Sequence, residues 1–246
     1  MGAPRNVAAK FLAYAIGLAL VATLVVWSIH PSKKWTPIPK VIVGTKDEID
    51  YYHAATREDA QALGRILQAI GFLNNRGSTV LLSKGIDGTR VTFVLDKGGW
   101  DHPATIYSFE EIGRRIAPSI GGYPIQVRLI DWTRNLHKEL TVGKAVIGAR
   151  DEIYYFGAAK EADATLLGRA LQTAGYLTDR GASVVLSKGD GTSISFVLDD
   201  GAWNRPQIAA AFERLVRQVA GAAGGLPIQL RLLDPKMEPK KEWTVQ

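Results

Sequence analysis

This chain writes most of itself twice, and that duplication constrains its fold more than any other feature. "DEIDYYHAATREDAQALGRILQAIGFLNNRG" begins at Asp47 and "DEIYYFGAAKEADATLLGRALQTAGYLTDRG" begins at Asp151, an offset of 104 residues. The match continues through "LSKG", "FVLD", a Gly-x-Trp and "GGxPIQxRLxD", and the offset falls to 103 after the SKG loop. "KELTV" at Lys138 returns as "KEWTV" at Lys241. A unit of about 100 residues is long enough to bury its own core. Tandem duplication therefore predicts two domains, residues 41–142 and 143–246.

Each copy carries the same element signals. "EIDYYHA" reads as a short aromatic strand. Thr56 suits the N-cap of the following helix, with Asp59 three residues on. Leu63, Ile66, Leu67 and Ile70 recur at helical spacing, and Gly71 and Gly175 suit helix ends. "TVLLS" and "RVTFVLD" read as strands joined by a Gly-rich turn. Phe109, Ile112 and Ile116 mark a second helix. In the closing strand Ile125, Val127 and Leu129 alternate with Gln126 and Arg128. The order βαββαβ predicts an α+β fold: two tandem ferredoxin-like domains, each with two helices over one face of a four-stranded antiparallel sheet. The opposite face would carry Tyr52, Leu81, Val94 and Arg128 in copy one, and Phe156, Val185, Val197 and Arg231 in copy two. That surface is too apolar to face water bare, so the sister copy, a tail segment or a partner is expected to cover it.

Ahead of the repeats, residues 1–10 form a short tail. Phe11 to Ile29 is a run of 19 residues without a charge, long enough to span about 30 Å of hydrocarbon as a helix. This predicts a transmembrane helix over 11–30 in a single-pass membrane protein. Lys10, Trp27, His30, Lys33, Lys34 and Trp35 would stand at the membrane interface. "HPSKKWTPIPK" reads as a Pro-rich spacer over 31–40. A short tail before a large C-terminal domain points to an extracytoplasmic, periplasmic placement of that domain, although flanking cations are nearly balanced across the span.

Charge narrows the partners. Residues 1–40 contain five cations and no acid, so the other 206 residues hold 25 basic and 24 acidic side chains. A nearly neutral folded part predicts no nucleic-acid partner, because phosphate neutralisation supplies much of that affinity. Phe93 and Phe196 alternate in phase with core positions rather than with an RNA-stacking face. Without cysteine, thiol nucleophiles, disulfides and Cys-ligated metals are excluded.

The remaining candidates for chemistry are few. Lys84 and Lys188 beside glycines suggest a phosphate loop, but each precedes its glycine and leads into a strand rather than a helix, so a plain hairpin is expected. His30, His53, His102 and His137 have no metal-ligand spacing, and copy two replaces His53 and His102 with Gly157 and Arg205. Asp96 and Asp131 end strands, and in the plait as read here they lie at opposite ends of the sheet, which argues against an acid/base pair. No catalytic site, metal or cofactor is predicted. The candidate interaction residues are Trp100 and Trp203, each before a second helix, with Trp132, Tyr52 and Phe156, since Trp and Tyr are favoured anchors at interfaces.

The "YY-x-G/H-A" strand, "A-x-x-LG" helix and "LSKG…FVLD-x-G-x-W" hairpin resemble those of uncharacterised bacterial proteins of unknown function, over residues 47–234. The resemblance implies no activity. The expected function is a non-enzymatic, membrane-anchored accessory subunit. Its helix would pack beside other membrane protein subunits in the bilayer, and its tandem domain would dock on a larger respiratory or photosynthetic complex. The alternative is an anchored sensor holding a small ligand between the copies.

Overall fold

The computed structural model describes residues 37–246. Along the chain run β1 (Lys40–Val43), β2 (Asp47–His53), α1 (Arg57–Ala69), β3 (Thr79–Gly85), β4 (Gly88–Val94), α2 (Pro103–Ile116), β5 (Ile125–Ile130) and β6 (Leu136–Ile147). The second repeat supplies β7 (Asp151–Gly157), α3 (Glu161–Thr173), β8 (Ser183–Lys188), β9 (Thr192–Val197), α4 (Pro206–Ala223), β10 (Ile228–Leu233) and β11 (Pro239–Val245). All eleven strands form one mixed sheet in sequence order.

This corrects the expectation of two ferredoxin-like domains. A plait inserts a strand between the parallel pairs, whereas here β2 pairs directly with β3, and β4 directly with β5. The edge that a plait would close is taken by the "KELTV" segment, which pairs with β5 from Leu136 to Val142. The same strand runs on to Ile147 and pairs with β7. One twelve-residue strand thus ends the first repeat and begins the second, so the sheet never breaks.

The helices form where the sequence signals them. Thr56 Oγ accepts from the Asp59 amide at 3.2 Å, and Asp59 returns the bond to the Thr56 amide at 3.0 Å, closing a capping box. Pro103 and Pro206 open α2 and α4 at the first helical turn, where a missing N–H costs nothing. α1 and α2 share one face of the sheet with Ile49, Val80, Phe93 and Leu129. The chain advances the same way across both parallel pairs although the pairs run in opposite directions. The second crossover in each repeat therefore has the opposite hand to the first.

β6 also changes which face is buried. Leu140 and Val142 belong to the first core, while Ala145 and Ile147 belong to the second. The phase slips at Val142–Gly143, two consecutive buried residues. Gly143 lies opposite Tyr155, and a Cβ there would overlap the tyrosine ring. In β7, Tyr154 and Phe156 pack into the first core, and Ile153 and Tyr155 into the second. The helices of the two repeats thus lie on opposite faces of one sheet, as a half-turn about the direction of advance requires. Each core keeps the same aromatic trio. Phe72, Phe93 and Phe109 have centroids 4.9–5.9 Å apart, and Tyr176, Phe196 and Phe212 match them at 4.7–5.6 Å.

Among the described residues no helix is long and apolar enough to cross a membrane. The segment 11–30, with Lys10, Trp27, His30, Lys33, Lys34 and Trp35, lies outside them. The single-pass, periplasmic assignment is corrected accordingly: no crossing element stands among residues 37–246 to support it.

Candidate functional site

The two repeats treat their equivalent back faces differently, and the candidate sites follow from this. The back of repeat 2 is covered. Phe156 is fully buried and Val185 is 3% exposed, both packed in the first repeat's core. The cover is α2. Arg114 lies 5.6 Å from the Tyr154 ring centre, Tyr123 stands edge-on to the same ring at 5.9 Å, and Tyr107 donates to the Met237 carbonyl at 2.9 Å.

Beside this cover a cleft of about 620 Å³ opens between the repeats. α2 contributes Tyr107 and Glu110, β6 contributes Lys138, and the β8–β9 hairpin contributes Ser187 and its turn. Arg231 on β10 sits 5.5 Å from the Tyr107 ring centre. Glu110 is 5% exposed. Burial pushes its carboxyl up to about 7, further than Arg231 can pull it back, with Glu111 adding like charge. Trp100 also lines the cleft, stacked on His137 with centroids 3.6 Å apart. His137 Nε2 in turn lies 2.9 Å from Asp131.

Among the described residues the back of repeat 1 has no such cover. Tyr52, Leu81 and Val94 are half-buried, and Trp132 is 82% exposed. A hollow of about 320 Å³ is lined here by Asp50, Leu81, Ile130, Trp132 and Arg134. Burial and the neighbouring Glu48 carboxylate raise the Asp50 pKa. Trp132 and Tyr52 therefore share one open surface. Trp100 lines the cleft, Phe156 lies inside the internal interface, and Trp203 packs half-buried against the second core.

Two other features have structural duties. Lys84 Nζ pairs with Asp59 at 2.7 Å and Lys188 with Asp163 at 2.9 Å, so the SKG lysine ties each hairpin to the first turn of the preceding helix. Asp96 and Asp131 follow parallel strands, since Val94 pairs with Ile130. They lie at the same end of the sheet, which corrects the expectation that they stand apart. Asp131 is committed to its own loop, accepting from Thr133, Asn135 and His137. Among the described residues no three His, Cys, Asp or Glu side chains converge as a metal site.

Sequence reasoning missed Asp47 and Asp151. Both are buried and accept three backbone amides each: Asn75, Gly77 and Ser78 for Asp47, and Asp179, Gly181 and Ala182 for Asp151. The signal lay in the repeated spacing of "DEI" to "RG". Compared with protein-family models, curated proteins and solved structures, the chain finds no match.

Proposed function

We propose that this protein is a non-catalytic accessory or structural subunit that docks on another polypeptide through the open back of repeat 1. One observation carries the reading. The back of the sheet is sealed by a helix in repeat 2 and, among the described residues, left uncovered in repeat 1, with Trp132 standing out of it. An exposed indole beside half-buried Tyr52 and Leu81 is the composition of an interface anchor. The test places a photo-crosslinking residue at position 132 of the full chain in its native cells, with a control at Ile86 on the hairpin tip. The reading expects a protein adduct at 132 and none at 86. Equal or absent adducts at both positions would overturn it.

A second reading is favoured by Glu110. A buried carboxyl poised near neutrality in a cleft between the repeats suits a small ligand bearing a hydrogen-bond acceptor or an ammonium group. Thermal stabilisation of the full chain by small amines and carboxylates tests it. The reading expects a shift that Glu110→Gln abolishes, and no shift across the panel counts against it.

A further inference from the structure

Resting on the docking reading above, we propose that the occupant of the open back of repeat 1 is the outer flank of α4 from a second copy of this chain. It would be seated by the operation that seats α2 on the back of repeat 2. The internal interface is the template, because every residue in it has a counterpart at a fixed offset on one of two faces that no other described residue covers. α2 covers repeat 2, whereas among the described residues α4 packs on its own repeat alone, and its Ala210, Ala211, Arg214 and Arg217 are exposed.

Volume changes on the two sides compensate. On the helix side Ile106 and Tyr107 correspond to Ala209 and Ala210, which are smaller. On the sheet side Pro235, Met237 and Gly157 correspond to Trp132, Arg134 and His53, which are larger. Bulk lost from the helix flank is thus returned by the sheet face it would meet, as close-packed surfaces require.

Charge changes on the two sides compensate as well. Arg114 lies over the Tyr154 ring within the chain. Its counterpart Arg217 would stand over Asp50, the counterpart of Tyr154, with Glu48 alongside. Arg214 replaces Glu111 and adds a second cation to that side. Glu110 borders Gly157, and its counterpart Glu213 would border His53. In the single copy Lys40 and Arg134 already lie near Asp50, yet burial and Glu48 outweigh them and leave its pKa raised, so an incoming guanidinium would add to a still incomplete compensation. Arg217 is now held across one helical turn by Glu213 at 2.8 Å and donates to the Gln246 carbonyl, with its side chain 48% exposed. Such surface pairs are weak enough to exchange.

The contact joins two different surfaces, so it is head-to-tail and leaves both outer faces free to repeat. Assembly would grow with concentration rather than stop at a symmetric dimer.

The test is sedimentation of the full chain across a wide concentration range in a mild detergent, for wild type, Arg217→Glu, Asp50→Arg and an equimolar mixture of the two variants. Circular dichroism and thermal melting verify that both variants fold. The proposal expects a concentration-dependent series for wild type. Each single reversal should weaken association by about tenfold or more, and the mixture, where every reversed site meets its opposite charge, should restore it. A wild-type monomer throughout, or association indifferent to both reversals, would overturn the proposal. The two readings separate at position 132. Adducts at whole multiples of the chain's own mass support the second copy, adducts of another mass sink it while leaving the docking reading intact, and no adduct sinks both.

Discussion

Lys84 Nζ lies 2.7 Å from an Asp59 carboxylate oxygen, tying the tip of the β3–β4 hairpin to the start of α1. The contact recurs between Lys188 and Asp163 at 2.9 Å. Asp59 also caps its helix through the Thr56 amide. Removing the carboxylate should therefore cost more than removing the lysine. Asp59→Ala is expected to destabilise the fold by about 1–2 kcal/mol, and Lys84→Met by about 0.5–1 kcal/mol. Urea denaturation midpoints of the two variants decide it. A larger loss from the lysine variant would contradict the assignment.

Asp47 and Asp151 are anchors rather than reactive acids. Burial alone would raise their pKa values, but the backbone amides converging on each carboxylate outweigh it and leave both lowered. A lowered native pKa contributes stability that is present above the ordinary carboxylate range and is lost as pH falls through the native value. Asp47→Asn should cost about 1.5–3 kcal/mol at neutral pH. Below the native pKa the gap between variant and wild type should narrow. Denaturation curves over a descending pH series measure this, and a gap that stays constant with pH would contradict it.

Glu110 has the opposite sign. Its carboxyl is ordinarily half-protonated near 4.5 and is held near 7 in the fold. The native state therefore binds the extra proton, and stability falls as pH rises between those values and then levels off. Glu110→Gln should match wild type below that window and exceed it by about 3 kcal/mol above it. Thermal melts from pH 4 to 8 provide the comparison. A variant that tracks wild type at every pH would show that Glu110 ionises freely.

Gly143 tests the phase slip in β6. The Tyr155 ring lies where its Cβ would be. Gly143→Val should destabilise by about 1–3 kcal/mol through overpacking. Tyr155→Ala combined with it should recover part of that overpacking cost, although the lost ring destabilises on its own. A double-mutant cycle reads the coupling. Strictly additive effects would mean that the two residues do not meet.

The repeats, the capping box, the helical stripes and the alternation in β5 could all be read from the sequence, because each is a local pattern with a fixed period. Strand order could not be read, because βαββαβ describes a plait and this sheet equally well. The deciding segment was "KELTVGKAVIG". Its buried positions run Leu140, Val142, then Gly143, Ala145, Ile147, so the alternation slips by one residue in mid-strand. That slip was visible in the sequence, but Gly143 reads there as a break between domains. Asp47 and Asp151 were hidden for another reason: their partners are backbone amides, which no residue type advertises. Trp132 was legible as a candidate anchor from its residue type alone, yet only the fold shows that it stands out of the back of repeat 1, 82% exposed.

The central claim is that the two copies bury their equivalent back faces unequally, because α2 of the first repeat seals the back of the second. The chain has no cysteine, so a single introduced thiol reports its own site. Leu81→Cys and Val185→Cys occupy matching positions in β3 and β8, half-buried in one case and 3% exposed in the other. Thiol labelling of each folded variant at low chain concentration measures the difference directly. The account predicts that the thiol at position 81 reacts readily while the one at 185 is protected until the protein unfolds. Equal labelling rates, as two independent and equivalent modules would give, would contradict it.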